Sequence, residues 1–186
     1  MFRAYFLGWL GVRVEGLEHV PRRGAFMLCS NHISWMDPPL LGAVSPRHLA
    51  FMTKAEVFAS PVVAMILRTV GAFPVRRHSA DRPAMRYAMG LLQRGQAICL
   101  FPEGTRSRDG RLGRAEPGAA LIAARTGAPI VPVAICGTYR RGHLVIRFGA
   151  AEPLLTPGED RPGGADLQRL AQERIMGRIA DLQRDA

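Results

Sequence analysis

The chain has 186 residues, a formal net charge of +10 at pH 7, and a composition that is 48% hydrophobic and 22% charged. These values exclude an intrinsically disordered chain and suit one domain that buries a sizeable core. Lys54 is the only lysine, so arginine supplies nearly all of the positive charge. Since the planar guanidinium of arginine binds phosphate through paired hydrogen bonds, we expect a phosphate-bearing partner: nucleic acid, an anionic lipid or a nucleotide-like carrier.

The first predicted element is a short amphipathic helix over residues 1–11. Its apolar side chains recur at helical spacing, with Arg3 and Arg13 near its two ends: Phe2, Tyr5, Phe6, Trp9 and Leu10. Such a helix either lies in a membrane interface, as in monotopic proteins, or packs on the protein core. No apolar stretch approaches the roughly 20 residues that a spanning helix needs, and no signal-peptide cleavage site follows the helix. We therefore expect neither a membrane span nor secretion.

Strand-like and helix-like segments then alternate along the chain. The predicted strands are apolar on both faces and lie at 25–30, 49–53, 73–75, 97–101, 130–135 and 143–148. One helix follows an Asp37 cap, with Pro38 at its first position, and further helices cover 61–70, 81–94 and 116–126. The apolar helix 61–70 is a second candidate for membrane contact, with burial in the core as the alternative.

A last helix is predicted over 166–184, and its single apolar stripe is expected to dock on the core. Apolar strands separated by helices are typical of an α/β fold. The sequence therefore predicts one domain over residues 1–186, with a mostly parallel central sheet flanked by helices and a short N-terminal amphipathic helix.

Two polar phrases follow predicted strands directly. The first is NHISWMDP at 31–38, and the second is FPEGTRS at 101–107. In open α/β sheets, ligands bind beyond the carboxyl ends of the strands. We therefore expect the two phrases to meet in one site.

In the first phrase, His32 is suited to general-base chemistry near neutral pH, and Asp37 is its candidate partner. On a regular helix a five-residue offset points the two side chains about 140° apart. They meet only if 33–36 form an irregular turn. The alternative is that Asp37 only caps the helix while His32 bonds to backbone. No serine or cysteine nucleophile is well placed beside His32, so the base would act directly on a hydroxyl or on water.

In the second phrase, Gly104 lets the backbone approach a ligand closely. Arg106, with the hydroxyl groups of Thr105 and Ser107, is a candidate phosphate cradle. Glu103 either holds Arg106 in place or bonds a substrate hydroxyl. The alternative is a solvated loop with structural ion pairs.

Cys29, Cys99 and Cys136 lie in apolar, strand-like runs without the spacing of a metal site or of a disulfide framework. They are expected to be reduced core residues of a cytosolic protein, and no metal site is expected.

Taken together, the two phrases resemble the first and third signature blocks of the glycerolipid acyltransferase family. These are the lysophosphatidic acid acyltransferases, also called 1-acylglycerol-3-phosphate O-acyltransferases. The second block resembles GAFPVRR at 71–77, where Pro74 and Arg76 depart from the commoner pattern, and the fourth resembles VPVAI at 131–135. The four blocks occur in order across roughly 12–150.

The resemblance implies that His32 is the catalytic base and Asp37 its partner. It also implies an acceptor phosphate site, whose candidate residues are Lys54, Arg77, Glu103, Gly104, Thr105 and Arg106. The activity implied is transfer of a fatty acyl group from a thioester to the free hydroxyl of lysophosphatidic acid, giving phosphatidic acid. The implied co-substrate is acyl-CoA or acyl-carrier protein, with no cofactor and no metal.

The implied partners are the lysophospholipid acceptor, the acyl thioester and a membrane surface. A lipid acceptor favours the interface position for helix 1–11, so we expect a peripheral protein on the cytoplasmic face of a membrane. Nucleic acid is not expected, because the arginines lie beside acidic residues and glycines rather than in a continuous stripe. The alternatives are another acceptor, such as glycerol 3-phosphate or a lyso-aminolipid, a thioester hydrolase, or a non-catalytic binding module.

Overall fold

A computed structural model describes residues 3–69, 71–75, 81–107 and 109–184. The strands are β1 (Arg13–Glu15), β2 (Phe26–Ser30), β3 (Leu49–Lys54), β4 (Ala72–Val75), β5 (Ala97–Leu100), β6 (Ile130–Gly137) and β7 (Leu144–Phe148). The α-helices are α1 (Asp37–Val44), α2 (Pro61–Thr69), α3 (Arg82–Gln93), α4 (Gly118–Thr126), α5 (Gly164–Leu170) and α6 (Gly177–Arg184). A π-helical segment, Ala4–Trp9, forms the N-terminal helix, and another, Ala171–Met176, joins α5 to α6. Short 3-10 turns cover Leu17–His19 and Ala55–Ala59.

The strands form one sheet in the order β1-β7-β6-β2-β5-β3-β4. β2 lies between β5 and β6 and is parallel to both, while β3 is parallel to β5 and β4. Only the β6–β7 pair is antiparallel among the described strands, and β1 joins the far side of β7 in parallel. The carboxyl ends of β2, β3, β4, β5 and β6 therefore meet at one edge, here called the carboxyl edge. The predicted α/β fold with a mostly parallel, helix-flanked sheet is confirmed.

Each face of the sheet carries its own core. Side chains alternate along a strand, so Met27 and Cys29 enter one core while Phe26 and Leu28 enter the other. The first core is covered by α3, α4 and the C-terminal helical segments, and the second by the N-terminal helix and α1. The C-terminal segments run from Gly164 to Arg184 and bury six apolar side chains: Leu167, Leu170, Ala171, Ile175, Met176 and Ile179.

The N-terminal helix divides its apolar residues between core and solvent. Phe6 and Leu10 are buried in the second core. Tyr5 and Trp9 are exposed, and their rings stack with centroids 5.4 Å apart. Phe2 lies outside the described residues. The stripe is thus split, because a helix lying on the sheet can bury only one of its sides.

The apolar helix α2 is less buried than its composition suggests. Ala64 is buried and Leu67 packs on the second core, but the side chains of Val62 and Met65 are each 63% exposed. The helix packs beside β4, the last strand of the sheet, and no element within the described ranges covers its outer side. The alternative that this helix is buried in the core is therefore wrong. Within the described residues, none of the helices is both long enough and apolar enough to cross a bilayer.

Candidate active site

Asn31 fixes the point where the chain leaves β2. Its side-chain Nδ2 donates to the carbonyl of Ile135 at 2.9 Å, and its Oδ1 accepts from the Ile135 amide at 2.7 Å. The Asn31 side chain thus makes the two hydrogen bonds to β6 that the backbone of a further β2 residue would otherwise make. The residue that follows, His32, is thereby held at the carboxyl edge.

His32 and Asp37 are brought together by an irregular turn. His32 Nδ1 lies 2.7 Å from Oδ2 of Asp37, and the same oxygen accepts the backbone N–H groups of Ile33 at 2.7 Å and Ser34 at 2.8 Å. The carboxylate therefore organises the turn between the two residues. Met36 occupies the cap position of α1 and Asp37 is its first residue, and the Asp37 side chain bonds backward to this turn. The expected helix cap is wrong in this respect.

The other oxygen of Asp37 accepts a hydrogen bond from a tyrosine. The Tyr139 hydroxyl donates to Oδ1 at 2.6 Å. Burial and the negative charge of Asp37 raise the pKa of Tyr139 well above its usual value, so its hydroxyl keeps the proton that it donates. Asp37 has none of its surface exposed, and its buried charge is matched by donors on both oxygens.

The ring of His32 is fixed in both position and tautomer. It stacks on Phe101 with centroids 4.0 Å apart and planes 20° apart. Because the carboxylate of Asp37 can only accept, Nδ1 carries the proton of the neutral ring. Nε2 makes no hydrogen bond within the described part of the chain, which leaves it as the nitrogen able to accept a proton.

Glu103 joins the second phrase to the first. Its Oε1 accepts from the His32 backbone N–H at 3.1 Å and its Oε2 from the Gly113 N–H at 2.8 Å. The Ser107 N–H donates to the His32 carbonyl at 2.7 Å. Glu103 is buried and forms no ion pair with Arg106 in the described residues, so it does not hold that arginine. The loop instead holds the backbone of His32 on both sides.

The remaining predicted binding residues follow the carboxyl ends of β5 and β3. Gly104 has a φ of +64°, and an added Cβ would lie 3.3 Å from Cγ of Glu116, so a larger residue is disfavoured there. Thr105 and Arg106 are exposed. Lys54 is exposed as well, with Nζ 3.4 Å from Oε1 of Glu56. Among the described residues, none of these four forms a hydrogen bond or ion pair with His32, although they share its edge of the sheet.

Arg77, the remaining predicted phosphate ligand, lies outside the described residues. The described residues contain no cluster of three histidine, cysteine or acidic side chains placed to hold a metal ion. Cys29 and Cys99 are buried strand residues, and burial raises the pKa of the Cys29 thiol to about 12.

Sequence reasoning missed two residues of this site. Asn31 precedes His32 in the first phrase. The only sequence feature that could have indicated its role is an amide side chain at the end of a predicted strand. Tyr139 is 102 residues from Asp37 along the chain, and no local pattern joins them. Its position just beyond the carboxyl end of β6 becomes informative only once the strand order is known.

The sequence matches the model of the family described as Acyltransferase over residues 11–136, which is more than half of the chain. The chain belongs to the acyltransferase family. All four blocks and both members of the His32–Asp37 dyad lie inside the matched region. The family resemblance predicted from those blocks is therefore confirmed.

Known relatives of this acyltransferase-family chain differ in the acceptor that they are named for. The chloroplastic 1-acyl-sn-glycerol-3-phosphate acyltransferase BAT2 of Brassica napus is 32% identical over 172 residues, covering 91% of this chain and 46% of that protein. The lyso-ornithine lipid O-acyltransferase of Pseudomonas aeruginosa is 37% identical over 191 residues, covering 88% of this chain and 70% of that protein. The chain thus spans less than half the length of the Brassica relative.

The fold is also that of a solved family member. The crystal structure of the 1-acyl-sn-glycerophosphate (LPA) acyltransferase PlsC from Thermotoga maritima matches with a TM-score of 0.74 and 28% identity, covering 97% of this chain and 76% of that chain. The α/β fold described above is therefore also found in an acyltransferase from Thermotoga maritima.

Proposed function

We propose that this chain transfers a fatty acyl group from a thioester donor to the free hydroxyl of lysophosphatidic acid, forming phosphatidic acid. The observation that carries the proposal is the buried Asp37 carboxylate bonded to His32 Nδ1, with Nε2 left free to accept a proton. The relatives named as acting on 1-acyl-sn-glycerol 3-phosphate support the acceptor.

In the proposed reaction, Nε2 of His32 takes the hydroxyl proton of the acceptor as its oxygen attacks the thioester carbonyl. The new C–O bond forms, the C–S bond then breaks, and the proton passes from the imidazolium to the leaving thiolate. A general base of this kind typically contributes about 10²–10⁴-fold to the rate. Asp37 orients the ring and stabilises its positive charge in the transition state. The step needs no covalent enzyme intermediate, metal or cofactor.

The acceptor's phosphate is assigned to the basic groups of the carboxyl edge. Arg106 and Thr105 follow β5 and Lys54 ends β3, and we assign Arg77 to the same role from its sequence block. Gly104 keeps the loop open to the headgroup, and Glu103 holds the loop against His32. Fixing the acceptor in this way lowers the barrier, because the hydroxyl is delivered already oriented.

The proposed setting is the cytoplasmic face of a membrane, with the protein bound peripherally. The exposed rings of Tyr5 and Trp9 on an otherwise anchored helix support an interfacial position. Acyl-CoA or acyl-carrier protein is the proposed donor. Nucleic acid has no part in the proposal.

A lyso-ornithine lipid is the second candidate acceptor, because the Pseudomonas relative carries that name at 37% identity. The test is a competition assay: purified protein receives a thioester donor with equimolar lysophosphatidic acid, lyso-ornithine lipid and isotopically labelled glycerol 3-phosphate. Products are identified by mass spectrometry, and the label marks those that derive from glycerol 3-phosphate. We expect phosphatidic acid as the main product. The phosphate of the acceptor can engage the guanidinium of Arg106, which a lyso-ornithine lipid cannot match, and the relatives named for 1-acyl-sn-glycerol 3-phosphate favour this acceptor over glycerol 3-phosphate.

Predominant acylation of lyso-ornithine lipid or of glycerol 3-phosphate would replace the proposed acceptor and leave the dyad chemistry standing. Release of free fatty acid at the same rate without any acceptor would instead identify a hydrolase and refute the proposed transfer.

A further inference from the structure

The loop at residues 138–143, which joins β6 to β7, connects the dyad to the N-terminal helix. Because β6 is parallel to β2, the loop starts at the carboxyl edge that also holds His32. Tyr139 within it bonds to Asp37, and the Gly142 N–H donates to the carbonyl of Leu10 at 2.8 Å. We call this loop the arginine hairpin, after Arg140 and Arg141 at its turn.

The arginine hairpin presents positive charge that the protein itself does not neutralise. Arg140 and Arg141 are exposed, and so is Arg13, which starts β1 beside Val145 at the same edge. No carboxylate pairs with any of these three arginines in the described ranges. By contrast, Arg147 pairs with Glu15 at 2.7 Å. The unpaired arginines are therefore available to an anionic partner.

The neighbouring helix adds an aromatic contact of the kind that suits a bilayer surface. The side chains of Tyr5 and Trp9 are 41% and 59% exposed, while Phe6 anchors the helix in the core. Amphipathic aromatic rings settle at the headgroup level of membranes, and basic residues beside them bind anionic lipids. The exposed apolar side of α2 belongs to an element on the same face of the sheet. An acidic protein would match the arginines but would leave these apolar groups uncovered.

We propose that the arginine hairpin binds the headgroups of an anionic phospholipid bilayer while Tyr5 and Trp9 enter its interface. The loop then holds the membrane against the edge where Asp37 and His32 lie. This inference rests on the proposed function in one respect: the bilayer is taken to be the source of the lysophospholipid that reaches His32.

The test compares two variants that each lose two positive charges. Arg140→Gln/Arg141→Gln changes the hairpin, and Arg22→Gln/Arg23→Gln changes an exposed pair that precedes β2, at the opposite edge of the sheet. Binding is measured by co-sedimentation with vesicles of phosphatidylcholine alone and of phosphatidylcholine with about one quarter phosphatidylglycerol. Each basic residue near an anionic surface contributes about fivefold to binding. We therefore expect the hairpin variant to bind the anionic vesicles at least about tenfold more weakly, and the control variant to change less than about twofold.

A charge-keeping variant, Arg140→Lys/Arg141→Lys, separates charge from folding and is expected to bind like the unmodified protein. Equal losses in the two glutamine variants, loss in the lysine variant, or no selective binding of anionic vesicles by the unmodified protein would each overturn the inference. Unchanged vesicle binding by the hairpin variant, with activity lost only when acyl-carrier protein is the donor, would also overturn it and would point to an acidic protein partner.

The vesicle co-sedimentation assay contains neither acyl donor nor acceptor, so the binding that it measures is independent of acyl transfer. A protein that shows the selective vesicle binding but makes no phosphatidic acid would refute the proposed function and leave the hairpin inference standing.

Discussion

Asp37 is the residue on which the site is built. It accepts hydrogen bonds from the His32 ring, from the amides of Ile33 and Ser34, and from the Tyr139 hydroxyl. A fully buried carboxylate needs such partners, because an unpaired charge in the core is strongly destabilising. The same hydrogen bonds therefore stabilise the buried Asp37 carboxylate and orient the His32 ring.

Tyr139→Phe is predicted to lower kcat about tenfold, because hydrogen bonds to charged groups contribute about 1.5–3 kcal/mol and this one aligns Asp37. KM should change less than about twofold, since the hydroxyl is bonded to Asp37 and not to the proposed acceptor site. The measurement is steady-state kinetics with the lysophospholipid acceptor. The control is Tyr87→Phe, which removes a hydroxyl from an exposed tyrosine on α3. An unchanged kcat, or a rise in KM alone, would show that Tyr139 does not position the dyad.

At the scale of elements, the decisive feature is the pairing of two loops that follow adjacent strands. β2 and β5 are neighbours, so the chain at His32 and the chain at Glu103 leave the sheet side by side. Both carboxylate oxygens of Glu103 accept backbone N–H groups, one from each of two loop segments. Irregular loops that stay in place need this kind of side-chain acceptor, since their backbone lacks ladder partners.

Glu103→Gln is predicted to lower the free energy of unfolding by about 2 kcal/mol, because the amide N–H₂ of glutamine must face a backbone donor. It should lower activity as well, since the His32 backbone loses a partner. Urea unfolding measures the stability change, and Glu18→Gln on an exposed turn is the matched control. A variant as stable as its control would mean that Glu103 does not hold the two loops together.

The turn between His32 and Asp37 could be predicted only in part. A five-residue offset required an irregular segment, and the structure has one. The cap at Asp37 was wrong, because an aspartate before a proline has the same local pattern whether its carboxylate faces the helix or the preceding turn. The hydrogen-bond partners of the carboxylate decide between the two, and one of them, Tyr139, is remote in sequence.

For the whole molecule, the sheet could be predicted because its central strands are apolar on both faces and alternate with helices. β1 could not, since its three residues, Arg13–Glu15, lie at the edge of the sheet and place only one apolar side chain, Val14, between two charged ones. For α2 the sequence left two possibilities open, membrane contact and burial in the core, and could not decide between them. Composition reports how apolar a helix is, whereas its place beside the edge strand β4 determines how much of it is covered.

The buried thiol of Cys29 is expected to make the stability of the whole fold depend on pH in the alkaline range. Folding raises the pKa of Cys29 from 9.0 to about 12, so between these values the folded state keeps a proton that the unfolded chain has lost. Stability from this group is thus full below pH 9 and is lost as pH rises towards about 12. Urea unfolding across that window should show a falling free energy, with a shallower fall in Cys29→Ala. An identical slope in the variant would contradict a buried, protonated thiol.

The central claim, that His32 is the base in acyl transfer, is tested most directly by the rate of acceptor-dependent thiol release. Unmodified protein is compared with His32→Ala and with His48→Ala, whose histidine is exposed at the amino end of β3, on the opposite edge of the sheet. We predict a kcat lower by about 10²–10⁴-fold for His32→Ala, with His48→Ala within about twofold of the unmodified protein. A folded His32→Ala variant that releases thiol at the unmodified rate would contradict the claim.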